Sequence, residues 1–297
     1  YTLISVCCVL GYQWAGMTWL DAIMHMFSTM GLGGFSSHDA SYGYFNSPAI
    51  EAVAILFMLI AGCNFATHYV VLSGRSLRPY ATDPEAGMFL LVTLGSVVGI
   101  AIFLDVHEVY PTFSEALRFS AFNVVSIATT TGFANTDYAL WPFFAPLWML
   151  FLSSFATSAG STGGGIKMIR AIVLYKQVYR ELARAMHPNA VHPVKVGNEV
   201  VPPNILFAVL AFGFMYMVCI ASMTLILSFS GLEIITAFTA VVASINNTGP
   251  GLGQVGPANN FSVLTDFQTW VCTFAMLIGR LEIFTLLVVL TPAFWRK

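Results

Sequence analysis

Three short polar kinks between apolar stretches hold the residues best suited to chemistry. They are Ser28-Thr29-Met30-Gly31, running on through Leu32, Gly33, Gly34 and Phe35, then Thr129-Thr130-Thr131-Gly132-Phe133, and Asn246-Asn247-Thr248-Gly249-Pro250-Gly251. A glycine in such a kink lets the backbone take positive φ and lets carbonyls turn towards a narrow axis. Rings of backbone carbonyls can replace the hydration shell of a monovalent cation. No Asp or Glu lies within the three kinks. Filters for divalent ions are often carboxylate rings, so the pattern favours a monovalent cation.

The elements around the kinks must hold them inside a membrane. The chain is 57% hydrophobic and 9% charged, with mean hydropathy +0.78, against about 25% charged in soluble domains. The formal net charge of −2 comes with no basic tract of the kind that binds nucleic acid. Residues 17–30, 112–130 and 232–246 are apolar segments that end at the kinks. The first spans only about 20 Å at 1.5 Å per residue, short of the roughly 30 Å hydrocarbon core. Irregular backbone at that depth is tolerated only where protein buries it or water wets it. Each half-span therefore reads as a re-entrant pore helix.

The same order recurs three times, with Gly31, Gly132 and Gly249 about a hundred residues apart, the mark of an internal repeat. Each unit is helix, pore loop, helix. The expected fold is an all-α integral membrane protein, divided at 1–74, 75–185 and 186–297. In the first unit residues 1–12 end a span and a helix runs from about Pro48 to Leu72. The second has a span over 87–104 and a long apolar stretch from Trp141; the third has a span over 203–229 and a last one from about Phe267 to Phe294. The chain opens on Tyr1 inside an apolar run, which predicts that an amino-terminal part precedes it. Cys7, Cys8, Cys63, Cys219 and Cys272 all lie in apolar runs without metal-type spacing and read as buried packing residues.

Basic residues set the orientation. Arg75, Arg78, Lys167, Arg170, Lys176, Arg180, Arg184, Lys195, Arg296 and Lys297 fall between repeats or at the carboxy terminus, and acids flank the half-helices. By the positive-inside rule the segments between repeats are cytoplasmic and the pore loops dip in from outside. The negative ends of the half-helix dipoles then point to the pore centre, where they favour a cation, and the acidic outer mouth disfavours anions.

The motifs make the comparison specific. Phe27–Ser36, Ala128–Phe133, Asn246–Gly253 and above all Ala159–Arg170 resemble the TrkH/KtrB/HKT superfamily of potassium-transport membrane subunits, and its TrkH branch most, over essentially the whole chain. The resemblance implies Gly31, Gly132 and Gly249 as filter glycines and K⁺ as the permeant ion, with no cofactor in the chain. It implies a pseudo-fourfold pore of four pore-loop repeats, of which this chain would supply the second to fourth. It further implies a homodimer in the inner (plasma) membrane, and a cytosolic, nucleotide-binding regulatory subunit of the TrkA type meeting helix 166–186 and nearby loops.

Two further features concern gating. The stretch Ser153–Gly165 interrupts an apolar helix, and each glycine there costs about 1 kcal/mol relative to alanine in a helix. Its core, Ser158, Ala159, Gly160, Ser161, Thr162, Gly163, Gly164 and Gly165, could block or open a path below the filter, and the family resemblance assigns this broken helix that role. A phosphate-binding loop is rejected, because Ile166 precedes Lys167 and no strand leads in. Glycine-spaced packing would explain one or two glycines but not four in this stretch. Arg280 sits mid-span in the last helix, where an arginine usually faces a cavity or a partner. A pair with Glu282 is disfavoured, since residues i and i+2 point to different faces. Arg280 is instead expected below the filter, hydrogen-bonded to the 153–165 loop, in agreement with the resemblance.

Among the remaining polar residues, His25, His68 and Arg118 read as satisfied structural groups, and Asp21, Glu115, Glu51 and Asp137 as anchors behind the loops. A carrier coupled to H⁺ or Na⁺ would need a titratable residue in the path, for which His25 is the one candidate near a filter. An intramembrane hydrolase would need a nucleophile paired with a base, and neither Gly-x-Ser-x-Gly nor His-Glu-x-x-His occurs.

Overall fold

The computed structural model describes residues 1–187, 192–197 and 199–296; Lys297 lies outside them. The first unit holds α1 (Thr2–Trp14), half-helix α2 (Trp19–Gly31), α3 (Pro48–Gly62) and α4 (Phe65–Gly74), and α5 (Arg78–Thr82) connects it to the next. The second holds α6 (Pro84–Val106), half-helix α7 (Phe113–Ala128), α8 (Phe144–Ser153) and α9 (Met168–Met186). An antiparallel hairpin, β1 (Lys195–Val196) with β2 (Glu199–Val200), pairs Lys195 with Val200. The third unit holds α10 (Pro203–Phe229), half-helix α11 (Ile234–Ile245), α12 (Asp266–Arg280), α13 (Ile283–Leu290) and α14 (Pro292–Trp295).

Hydropathy explains the long elements. Helices α6 and α10 are long and apolar enough to cross a membrane, and only 33% and 28% of their most apolar windows are buried. The rest is apolar surface suited to lipid, so this is a membrane protein. Half-helices α7 and α11 run into the interior instead: every residue from Phe122 to Thr131 is buried, as is every residue from Ala240 to Asn246, while α2 leaves Leu20, Met24 and Phe27 exposed. Helix α7 packs against α6 and α3, α2 against α1, and α11 against α10 and α12. Local chemistry starts them: the Thr18 and Thr112 side chains accept hydrogen bonds from the Asp21 and Glu115 backbone N–H groups.

Two spans expected to be continuous are bent. Helices α3 and α4 meet at 96°, and α12 turns by 109° into α13. At the first bend the Asn64 side chain caps α4 by accepting from the Ala66 N–H at 2.8 Å. Gly62 lies so close to Phe89 and Thr129 that a side chain there would have to displace them. At the second bend Glu282 has φ +60°, and Gly279 lies directly against the Ile245 carbonyl. With the gap between α8 and α9, all three units break their second helix beside the end of a half-helix. Arg280 consequently ends a helix and does not sit at the middle of one. Of the cysteines, Cys7 is exposed and the other four are buried.

An ion pair ties the units from behind. Glu51 of α3, only 3% exposed, accepts from Arg118 Nε and Nη2 of α7, each at 2.7 Å. Asn46 Oδ1 takes a further Nη2 bond at 3.0 Å.

Candidate functional site

Each half-helix ends in the same turn. Leu32, Thr130 and Asn247 take left-handed φ of 49°, 59° and 54°, and Gly34, Gly132 and Gly249 follow two residues later at 72°, 89° and 99°. The N–H groups of Gly33, Thr131 and Thr248 close on the carbonyls of Ser28, Ser126 and Ala243 at 2.8, 2.8 and 2.9 Å. That closure is the Schellman cap, which here places non-glycine residues in the left-handed position. Such strain persists only where surroundings enforce it.

This geometry corrects the first register. Gly31, expected as the first filter glycine, is the last helical residue of α2 and corresponds to Thr129 and Asn246. Gly34 is the counterpart of Gly132 and Gly249. The equivalent segments are therefore 31–34, 129–132 and 246–249, with Ser28, Thr29 and Met30 in the final helical turn of α2. The loops lie edge to edge: a side chain at Gly34 would strike the Thr131 carbonyl, and one at Gly132 the Thr248 carbonyl. Beside Gly249 nothing lies within 4 Å, so the three loops form an arc. The arc borders a cavity of about 870 Å³, lined by Gly31–Gly34, Thr130, Gly132, Asn247–Gly249, the loop residues Thr162 and Gly164, and Arg280.

Buried hydroxyls support the arc from behind. Tyr42 donates to the Tyr12 hydroxyl at 2.7 Å, which shares a 2.6 Å bond with Thr29 Oγ1. The Thr129 and Thr131 hydroxyls lie 2.8 Å apart. Asn246 accepts from the Tyr216 hydroxyl at 2.7 Å and donates to the Ser153 and Ser154 hydroxyls at 3.0 and 3.2 Å. Tyr12 and Tyr216 lie in apolar runs and Tyr42 in a polar loop, and a tyrosine in either setting carries no sign that its hydroxyl reaches a partner elsewhere.

The segment after Ser153 crosses the inner end of the arc. Thr162 Oγ1 donates to the Met30 carbonyl at 3.0 Å, and the Gly164 N–H donates to Thr130 Oγ1 at 2.8 Å. Gly164 lies against the Asn246 carbonyl, and a side chain at Gly163 would come within 3.0 Å of the Thr129 carbonyl. One loop thus touches all three half-helix ends. Its outer flank is held by Ser158 N–H to the Gly62 carbonyl at 3.0 Å and Phe65 N–H to the Gly160 carbonyl at 3.2 Å. Ala159, Ser161 and Gly165 complete it; Ser161 folds back on the Ser158 carbonyl at 2.6 Å, and Gly165 takes φ +80°.

Cations fasten the loop. Arg280 Nη1 donates to the Thr162 carbonyl at 3.0 Å, and Lys167 Nζ donates to the Gly163 carbonyl. Glu282 pairs with Arg170 at 2.9 Å. At the outer end the Asp21 carboxylate accepts from Thr18 and Ser37 hydroxyls at 2.7 and 2.8 Å and from His38 Nε2 at 3.2 Å. The Thr18 hydrogen bond, with those of Ser37 and His38, holds its carboxyl below the usual range. His25 is fully buried, bonded to the Asp21 carbonyl and the Ser36 hydroxyl at 2.8 and 2.9 Å, and is not among the residues lining the cavity. Asp137 caps a short turn through the Ala139 N–H at 3.1 Å, and His68 bridges Tyr80 and the Ile60 carbonyl at 2.5 and 2.8 Å.

The chain is similar to known proteins. The sequence model of the family described as TrkH, cation transport protein, matches residues 4–297. Relatives called Trk system potassium uptake protein TrkH are 48% identical in Salmonella typhimurium and 47% in Escherichia coli, across 100% of this chain. The chain spans 61% of their length. The crystal structure of the potassium transporter TrkH from Vibrio parahaemolyticus is similar with a TM-score of 0.95 at 43% identity, covering 100% of this chain and 63% of that one.

Proposed function

The chain belongs to the TrkH family of cation transport proteins, and from that premise we propose that it forms most of a potassium-selective pore for K⁺ uptake. The observation that carries this reading is the shared turn at three half-helix ends, whose glycines pack against neighbouring carbonyls around one cavity. Carbonyls of 31–33, 129–131 and 246–248 replace water around the ion, and the helix C-termini add negative potential there. K⁺ is the cargo, and the chain itself carries no chemistry of bond making. The three segments 1–74, 75–185 and 186–297 each contribute one loop of a pseudo-fourfold pore.

The 158–165 loop is the gate. It touches the inner end of every loop in the arc and is secured by Arg280 and Lys167. The whole protein works as a homodimer in the inner membrane. A cytosolic nucleotide-binding subunit of the TrkA type acts on α9, whose basic residues Arg170, Lys176, Arg180 and Arg184 follow the loop directly. The reading is tested by Rb⁺ uptake into proteoliposomes holding the full-length protein. Wild type should take up Rb⁺ in preference to Na⁺, and Gly132→Ser should weaken that preference. Equal selectivity in both would remove the loops from the filter.

A further inference from the structure

One buried carboxylate takes no part in the arc or in the contacts of Arg280. Glu85, in the first turn of α6, is 6% exposed. Its Oε1 accepts from the Ala159 N–H at 2.6 Å and from the Ile169 N–H at 3.0 Å. These amides stand on opposite flanks of the intramembrane loop, and Ile169 lies in the first turn of α9. A single oxygen therefore joins the entry of the loop to the helix that leaves it.

The carboxylate is itself held in place. Asp83 caps α6 by accepting from the Glu85 and Ala86 N–H groups at 2.9 and 3.3 Å. Thr67 of α4 donates to the other Asp83 oxygen at 2.9 Å. The first turn of α6 is thus tied to α4 on one side and to the loop and α9 on the other. Hydrogen bonds to an ionised acceptor are the stronger kind, a negative charge at the start of α9 suits its dipole, and removing the acceptor leaves buried amides unpaired.

We infer that Glu85 is a positioning residue that latches the intramembrane loop across the filter, so that movement of α9 away from Glu85 frees the loop; this rests on the reading of the loop as the gate. The latch contacts no permeating ion. It sets how often the path is open and leaves selectivity alone.

The test compares Rb⁺ flux through full-length wild type, Glu85→Ala, Glu85→Gln and Arg280→Ala in proteoliposomes. In parallel, Ser161→Cys is placed in each after the native cysteines are removed. Its labelling rate by a membrane-impermeant thiol reagent on the cytoplasmic side then reads the loop directly. Glu85→Ala should raise flux by about tenfold, and glutamine, which keeps a neutral acceptor, by about two- to threefold. The Rb⁺/Na⁺ ratio should hold, and labelling should quicken in the same order. Wild-type flux and labelling in Glu85→Ala, with Arg280→Ala raised, overturns the latch and spares the gate. Faster labelling in both variants without any change of flux supports the latch and refutes the gate. Should the alanine variant not reconstitute, glutamine decides: wild-type flux and labelling there overturn the latch.

Discussion

Substitution of Gly34 and of Gly31, three residues apart, should have opposite consequences. Gly31 is helical, and a Cβ added there meets nothing within 4 Å. Gly31→Ala therefore removes a flexible residue from the end of a helix, a gain of at most about 1 kcal/mol in helix propensity. Gly34 has φ +72°, where a side chain costs about 1–2 kcal/mol. Its new methyl would also strike the Thr131 carbonyl, which belongs to backbone and cannot rotate aside. Gly34→Ala must displace one loop against the next, so the strain falls on the cation site itself. About 1.4 kcal/mol of lost discrimination lowers a preference tenfold. The assay is competition of Rb⁺ and Na⁺ for uptake by the reconstituted full-length protein. Gly34→Ala should cut the Rb⁺/Na⁺ ratio by about tenfold, while Gly31→Ala should leave it near wild type. A larger loss in Gly31→Ala than in Gly34→Ala would refute the register derived from the backbone.

Other contacts give independent expectations. Arg280→Ala removes one charge-assisted bond to the Thr162 carbonyl in a wet cavity. At about 1–1.5 kcal/mol, that should raise flux roughly 5- to 13-fold at equal expression; unchanged or lower flux would remove Arg280 from the gate. Glu51→Ala removes the buried carboxylate that holds the half-buried Arg118 guanidinium between α3 and α7. Thermal unfolding in detergent should show a loss of about 2 kcal/mol, and a wild-type melting curve would show that the pair contributes nothing. Asp21 has a depressed carboxyl pKa, so its stabilising contribution is complete above the unfolded value of about 3.9 and is lost as pH falls through the folded value. The stability difference between wild type and Asp21→Asn should therefore be largest at neutral pH, begin to shrink near about pH 4 and vanish only below the folded value. A difference that grows with acidification would reverse that linkage.

Hydropathy made the long elements legible in the sequence. The span 203–229 coincides with α10, and the half-helix expected over 232–246 appears as α11 (Ile234–Ile245). Both follow from apolar length, which a bilayer enforces. The first filter register was hidden for a local reason. The left-handed cap of α2 is Leu32, a residue type that gives no hint of positive φ, so the resemblance pointed to Gly31 as the filter glycine in place of Gly34. The bends after Gly62 and Arg280 were missed because hydropathy averages over direction. A capping Asn64, and the Gly279, Arg280 and Glu282 cluster, were the available signals. Glu85 was missed because an acid at the start of a span reads as interfacial. Its partners are backbone amides 74 and 84 residues away, and no side-chain pattern announces an amide.

The measurement closest to the central claim is anomalous diffraction from crystals of the full-length protein equilibrated with Rb⁺. The account predicts a Rb⁺ peak on the axis shared by the three loops, within coordinating reach of carbonyls from 31–33, 129–131 and 246–248. It also predicts that the peak weakens when Na⁺ is in large excess only in a variant such as Gly132→Ser. A crystal with Rb⁺ bound elsewhere and none between the loops would contradict it.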